Sequence, residues 1–357
     1  MRLSDLMAHG SHVMTVCNAC RYCEQYCPVF PAMERRRTFT TTDLTYLANL
    51  CHGCGECLYA CQYAPPHEFN INVPQTLARI RVASYEEYAW PRFLAVAFRR
   101  NGLATAIALV AGLTTLLLLG AAAAPASAAP RAAADFYSVL PHDVMVGVFG
   151  SVGAFVLVAL VIGLSRFGRD QGGRMVFGRR ALTDMFTLRH LHASGPDCPA
   201  AEESRTPWRR WFHHATFYGF LLCFASTSVA AVYHAFGWLA PYGYASLPVI
   251  LGTGGGLALL VGPAGLLVIR PRRDPALSDR ATAHLDESFI FLLFLTSLTG
   301  LLLLVLRSHP AMGLFLVVHL GVVLALFVTL PYGKFVHGLY RAAALLKADR
   351  EGALDVQ

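Results

Sequence analysis

Charged residues are scarce in this sequence and are missing from long parts of it. Asp, Glu, Lys and Arg make up 14% of the 357 residues, whereas 55% are hydrophobic. Soluble globular domains carry about 25% charged residues, so the composition excludes an ordinary soluble protein. The formal net charge is +7, but the 29 Lys and Arg are scattered beside apolar runs. Because they form no basic stripe, nucleic-acid binding is not expected.

Six stretches without any Asp, Glu, Lys or Arg follow residue 100. Each is close to the ~20 residues that a helix needs to cross the hydrocarbon core of a membrane. The stretches are residues 103–124, 144–164, 213–236, 246–269, 288–306 and 311–332. We therefore predict an all-α fold with a six-helix transmembrane bundle within residues 93–345. A six-span transporter is an alternative, but carriers usually place an acidic or basic coupling residue within the bilayer.

The distribution of Lys and Arg predicts how the bundle is oriented. Three lie just before the first span, and successive loops then contain one, nine, none, four and one. Alternate loops are basic, as the positive-inside rule expects. Both termini are therefore expected in the cytoplasm, together with a basic loop over residues 165–212. Residues 1–30 lack the pattern of a secretory signal, which agrees with this orientation.

Cysteine is almost absent after residue 61. Eight of the ten cysteines lie between Cys17 and Cys61, and only Cys198 and Cys223 lie beyond. Residues 1–92 are polar and interrupted by proline, which predicts a separate domain of short helices and loops. Cys223, inside an apolar span, is interpreted as a small buried residue and Cys198 as a plain thiol.

The eight clustered cysteines repeat one spacing, C-x2-C-x2-C-x3-C. This spacing wraps three thiolates around one face of an iron–sulfur cube, while the fourth cysteine of each run ligates the neighbouring cluster. The ligands predicted for the first [4Fe-4S] cluster are Cys17, Cys20, Cys23 and Cys61. Those predicted for the second cluster are Cys51, Cys54, Cys57 and Cys27.

Two other interpretations of the eight cysteines are a disulfide framework and a pair of zinc sites. A disulfide framework is not expected in the reducing cytoplasm. Two zinc sites would usually pair C-x2-C knuckles instead of repeating a run of four cysteines. The N-terminal domain is therefore predicted to be ferredoxin-like.

Four of the fourteen histidines, His213, His234, His319 and His337, stand out by where the spans place them, because ionisable groups at these depths are costly and usually functional. Eighteen residues make five helical turns, which would place His319 and His337 on one face of one helix. His213 would then lie level with His337 on the inner side, and His234 level with His319 on the outer side. Two facing pairs of imidazoles predict one or two b-type haems.

The remaining histidines and a glycine run receive more ordinary interpretations. His142, His284 and His309 lie at loop edges and are interpreted as interfacial residues, while the roles of His190 and His192 stay open. The glycine-rich segment 252–256 lies inside an apolar span without a following Lys and Ser/Thr. Close helix packing is therefore expected there, and not a phosphate loop.

These cysteine and histidine motifs resemble those of known families. The double cysteine run resembles the helical ferredoxin module of succinate dehydrogenase iron–sulfur subunits and heterodisulfide reductase C subunits. Residues 209–220, RRWFHHATFYGF, together with His319 and His337, are similar to the nitrate-reductase gamma-type cytochrome b bundle. With TLRHL at 187–191 and GPAGL at 262–266, nearly the whole chain resembles the tricarballylate and citrate utilisation protein B family.

The resemblance implies a bacterial inner-membrane electron carrier. Such a protein reoxidises the reduced flavin of a partner tricarballylate dehydrogenase and passes electrons toward quinone. It would carry no organic-substrate site of its own, and its partners would be the flavoprotein, quinone and membrane lipid. A haem-free anchor that only tethers the ferredoxin domain is the alternative left open.

Overall fold

The computed structural model describes residues 2–123, 136–173, 177–191, 207–238, 240–272, 274–277, 279 and 282–354. Within these ranges the regular elements are all helices and no strand occurs, which confirms the predicted all-α class. The N-terminal helices are α1 (Leu3–Cys20), α2 (Val29–Glu34), α3 (Thr41–Leu50), α4 (Glu56–Tyr59), α5 (Val73–Tyr88) and α6 (Arg92–Arg100).

The rest of the described chain contains longer helices. They are α7 (Gly102–Ala123), α8 (His142–Asp170), α9 (Arg179–Thr187), α10 (Trp208–Ala235), α11 (Leu247–Ile269), α12 (Ala283–Val305), α13 (Met312–Thr329) and α14 (Val336–Arg350). Six of them, α7, α8 and α10 to α13, are long and apolar enough to cross a membrane. The predicted number of spans is therefore confirmed. The predicted basic loop 165–212 contains the end of α8, all of α9 and the start of α10.

Local sequence signals set where the N-terminal helices begin. The Thr40 hydroxyl accepts a hydrogen bond from the Asp43 backbone N–H at 3.2 Å, and the Asp43 carboxylate accepts one from the Thr40 N–H at 3.1 Å. This reciprocal pair is a capping box for α3. At α5 the Asn72 side chain caps the Gln75 N–H at 3.0 Å. Both helices are thus held in place from their first turn.

The buried residues form two cores. The first includes Leu47, Leu77 and Ile80 of the N-terminal helices. The second lies within the bundle and includes Leu259 and Leu292. Many other bundle residues point outward, and large apolar side chains on them stay more than half exposed. Among these are Leu116, Leu119, Leu157, Val261 and Val268. Outward apolar surface of this kind is what lipid contact requires.

The C-terminal helix α14 packs onto the N-terminal domain. Tyr340 of α14 is buried, and its ring stacks on Phe167 near the C-terminal end of α8, 5.1 Å between centroids. Just beyond α14, Glu351 accepts a hydrogen bond from the Arg36 guanidinium at 3.0 Å. The two ends of the chain therefore share one core on one side of the bundle.

The expectation that His319 and His337 lie on one helix is wrong. Helix α13, which carries His319, ends at Thr329, and His337 lies at the start of α14. Pro331 follows the end of α13. Proline has no N–H to donate to the preceding turn, so the hydrogen bonds of α13 cannot continue through this position. His337 therefore belongs to a separate helix, α14, and the helical phase of α13 does not determine where its side chain points.

Glycines bring α10 and α11 into close contact, as expected for residues 252–256. A Cβ atom on Gly255 would lie 2.8 Å from the backbone nitrogen of Cys223 and 2.9 Å from the carbonyl oxygen of Gly219. Backbone atoms cannot yield as a flexible side chain can. The close approach of these two helices therefore depends on the missing side chain.

Replacing Gly255 with leucine is expected to lower the stability of the bundle by about 1–3 kcal/mol or more, because α10 and α11 must separate. Gly254→Leu is the matched control, since Gly254 is exposed and a Cβ there meets nothing within 4 Å. Thermal unfolding of the detergent-purified variants measures the difference. Equal Tm values for the two variants would contradict the close packing.

Two residues singled out in the sequence, Cys198 and His192, lie outside the described residues.

Candidate metal centres

The first group of cysteines lines a cavity at the end of α1. Cys17 and Cys20 lie in the last turn of that helix, and the left-handed conformation of Arg21, φ 56°, turns the chain toward Cys23. The cavity has a volume of about 220 Å³. Its cysteines are Cys17, Cys20, Cys23, Cys57 and Cys61. The last cysteine of the second run thus stands beside the first three of the first run.

The second group lines a smaller cavity bounded by α2, the segment between α3 and α4, α4 itself and the start of α5. Cys51 caps the end of α3, Cys57 lies in α4, and Gly55, with φ 97°, makes the turn between them. The cysteines around this cavity are Cys27, Cys51, Cys54 and Cys57. Cys61 thus lies beside the first three cysteines of the other run, Cys27 lies beside the first three of the second run, and Cys57 borders both cavities. The division into two sets of four ligands stays a prediction.

All eight side chains are thiols and not disulfides. Within the described ranges, no three His, Cys, Asp or Glu side chains form a group that could hold a metal ion. The sulfur atoms surround cavities instead of converging on one point. Thiolate sulfur is the ligand type of iron–sulfur clusters, and a polynuclear group occupies a volume between its ligands.

Burial makes the ionised form of these thiols unfavourable. Burial, and then the neighbouring Cys61, raises the pKa of Cys17 to about 12. Burial likewise raises the pKa of Cys54 to about 11, and the pKa values of Cys27 and Cys57 lie well above the ordinary range. Thiolates in such a site need positive charge close by, which bound iron supplies. The donor set therefore fits a cluster.

Two of the four predicted haem ligands face each other. The ring centroids of His213, in α10, and His337, in α14, are 6.2 Å apart. A metal held by two imidazole nitrogens at about 2 Å each separates the ring centres by about 6 Å. The ring planes are inclined at 70°, and the two imidazoles could hold a haem iron between them.

The surroundings of the two rings also suit metal ligands. The Nδ1–H of His337 donates a hydrogen bond to the carbonyl oxygen of Lys334, which leaves Nε2 as its ligand atom. Burial, together with the charges of Arg341 and Lys334, lowers the pKa of His337 well below its usual value. The imidazole is therefore neutral. The Nδ1 of His213 is buried, and no described residue accepts or donates a hydrogen bond to it.

The two outer histidines have different neighbours. The ring of His234 stacks on His142, with centroids 4.0 Å apart, and lies 5.6 Å from Tyr137. The Nδ1 of His319 is 3.0 Å from the hydroxyl oxygen of Thr299. The structure thus brings His213 and His337 together, while His234 stands against His142, a residue that sequence reasoning had classed as interfacial.

Near the second cysteine group lie His190, whose role the sequence left open, and two residues that sequence reasoning missed, His52 and Asp184. His52, which separates Cys51 from Gly53, is buried, and its ring lies 5.4 Å from that of His190. The Nε2 of His190 is in turn 3.1 Å from a carboxylate oxygen of Asp184. Only the position of His52 inside a cysteine run could have drawn attention to it.

The helices that carry the inner histidines also contact the second cysteine group. Arg209, in α10, donates to the carbonyl oxygen of Gly53 at 3.1 Å. Arg341, in α14, donates to the carbonyl oxygen of Cys51 at 2.8 Å. The second cysteine group therefore lies beside the part of the bundle that holds His213 and His337.

Fold and site together define an all-α multi-pass membrane protein with an N-terminal cysteine-rich domain. The comparisons with known proteins agree with this class. The model of the Citrate utilization protein B family matches residues 97–355, and that of its Fer4-like domain matches residues 10–87. The chain belongs to the Citrate utilization protein B family. The Fer4-like domain indicates that the N-terminal part binds iron and sulfur.

A curated relative covers almost the same length. The Citrate utilization protein B of Escherichia coli is 49% identical over 350 residues, which are 97% of this chain and 92% of the relative. No solved structure matches the chain significantly. The family membership expected from the motifs is thus confirmed by sequence comparison, whereas the geometry of the site comes from this chain.

Proposed function

We propose that this protein carries electrons from a reduced flavoprotein to membrane quinone. The donor is the flavin of a soluble dehydrogenase that oxidises tricarballylate or a related tricarboxylate such as citrate. The electrons pass through the two [4Fe-4S] clusters and a haem. The name of the Escherichia coli relative supports the link to citrate, and the resemblance to the tricarballylate and citrate utilisation protein B family supports tricarballylate as a second candidate.

The observation that carries this proposal is the contact between the second cysteine group and the inner histidine pair. Arg209 and His213 belong to one helix, and Arg341 and His337 to another, so each helix reaches both sites. The first cysteine group supplies the other end of the path. Tyr22 lines its cavity and is 66% exposed, which leaves this side of the domain accessible to a partner.

Iron–sulfur clusters and haem accept one electron at a time, which divides the two-electron oxidation of a flavin into steps. The residues of the chain hold these groups at fixed separations. Cys27 and Cys61 join the two cysteine groups within one small domain, which keeps their distance short. The hydrogen bond from His337 to Lys334 fixes the ligand atom of one imidazole.

The proposed location is the bacterial inner membrane, with both termini in the cytoplasm. The basic loops on alternate sides of the spans support this orientation. The packing of α14 on the N-terminal domain also supports it, because the Arg36–Glu351 contact requires both ends of the chain on one side. The flavoprotein would then meet the N-terminal domain in the cytoplasm.

The inner histidines support one haem more strongly than two. A second haem between His234 and His319 would require His234 to leave its stacked position on His142. We therefore expect His319→Ala to leave the haem content of the purified protein unchanged, as measured from spectra of dithionite-reduced samples. Loss of half of the haem would instead assign His319 as a ligand.

Anaerobic purification of the full chain tests the proposal as a whole. We expect iron and acid-labile sulfide, electron paramagnetic resonance signals from two clusters, and sharp b-type α bands after reduction by dithionite. Iron without the α bands would leave a haem-free anchor that carries the clusters. Zinc in place of iron and sulfide would contradict the proposed function.

A further inference from the structure

Arg341 binds the backbone at the start of the second cysteine run. Its guanidinium donates to the carbonyl oxygen of Cys51 at 2.8 Å and to that of Asn49 at 3.4 Å. The side chain is partly buried among the N-terminal helices and α14. An arginine guanidinium is charged at neutral pH.

Arg209 binds the next two residues of the same run from the opposite helix. Its guanidinium donates to the carbonyl oxygen of Gly53 at 3.1 Å and to that of His52 at 3.3 Å. Gly53 has a φ of +61°, a conformation that favours glycine. The backbone N–H of Gly53 points toward the sulfur of Cys51 at 3.4 Å. Two arginines from outside the domain therefore hold residues 49–53.

Each arginine lies one helical turn from a histidine of the inner pair. Arg209 precedes His213 by four residues in α10, and Arg341 follows His337 by four residues in α14. Residues four apart share a helix face. His213 and Arg209 therefore share one face of α10, and His337 and Arg341 share one face of α14. On each helix the histidine contacts the other histidine and the arginine contacts the second cysteine run.

We propose that Arg209 and Arg341 are positioning residues that hold the binding loop of the second cluster against the inner histidine pair and raise the reduction potential of that cluster. This inference rests on the proposed function, because it requires the cluster. Reduction adds one negative charge to the cluster. A fixed positive charge in a partly buried site stabilises the reduced form more than the oxidised form.

The test uses the full-length, detergent-purified protein in a redox titration monitored by electron paramagnetic resonance. The signal of the second cluster is identified by its loss in Cys54→Ser. We expect Arg341→Gln and Arg209→Gln each to weaken reduction of that cluster about tenfold, which is about 59 mV for a one-electron couple. The potential of the first cluster should change much less.

Two matched variants separate charge and position from general damage. Arg341→Lys keeps the positive charge and should retain most of the potential. Arg210→Gln removes a charge one residue from Arg209, but Arg210 donates to the carbonyl oxygen of Thr187 and not to residues 49–53. This variant should leave the potential unchanged.

The possible outcomes are distinct from those that bear on the proposed function. If a glutamine variant lost the signal of the second cluster and retained that of the first, this would also support the proposal that the arginine holds residues 49–53 in place. Intact clusters with unchanged potentials in both glutamine variants would overturn the inference, as would equal loss of both signals. Absence of cluster signals from the unmodified protein would overturn the proposed function itself.

Discussion

Cys61→Ser is expected to remove the same cluster signal as Cys20→Ser, although the two residues belong to different cysteine runs. Cys61 lines the cavity of Cys17, Cys20 and Cys23, and serine replaces its thiolate with a poor ligand for iron. About half of the iron should be lost, since one of two [4Fe-4S] clusters is affected. Electron paramagnetic resonance and iron analysis of the purified variants measure the result.

The reciprocal pair gives the control for this prediction. Cys27→Ser should remove the same signal as Cys54→Ser, because Cys27 lines the second cavity. Cys223→Ala, which alters a cysteine of the bundle, should leave both signals intact. If Cys61→Ser instead matched Cys54→Ser, each run of four would hold its own cluster and the exchanged assignment would be incorrect.

His337→Ala and His213→Ala are each expected to remove the haem of the inner pair almost completely. The proposed haem between these two imidazoles would lose one of its two protein ligands in either variant, and alanine cannot replace it. The measurement is the ratio of haem to protein, with the difference spectrum between reduced and oxidised samples. The two variants should have the same phenotype, because the rings face each other at 6.2 Å.

His214→Ala provides a matched control for the haem prediction. His214 adjoins His213 in α10, but its Nε2 lies 3.0 Å from the carbonyl oxygen of Thr187, away from His337. Its replacement should leave the haem content unchanged. Unaltered haem in the His213 and His337 variants would refute the inner site, and equal loss in all three would show that the position in α10 was misassigned.

The interpretation of the sequence was most successful where the signal was local. Scarcity of charge over about 20 residues is enough to identify a span, and the six spans were found in this way. The repeated cysteine spacing predicted that Cys27 and Cys61 lie beside cysteines of the other run. Both patterns depend on residues close to one another in the chain.

Prediction failed where it assumed that a helix continues, and it could not identify which residue packs against a given side chain. His319 and His337 were predicted on one helix because their spacing fits whole turns, but α13 ends at Thr329, two residues before Pro331. His234 was matched with His319 by depth, whereas its ring stacks on His142. Depth in a membrane follows from the sequence, but the direction in which a side chain points depends on how helices pack.

The sequence by itself determined that the protein is helical, that six segments can cross a membrane and that eight cysteines repeat one spacing in the N-terminal domain. These properties follow from composition and from spacing along the chain. Only the tertiary structure decided that His213 faces His337 and that Arg209 and Arg341 meet the second cysteine run. The physical reason is that these contacts join residues up to about 290 positions apart, through the packing of α14 on the N-terminal domain.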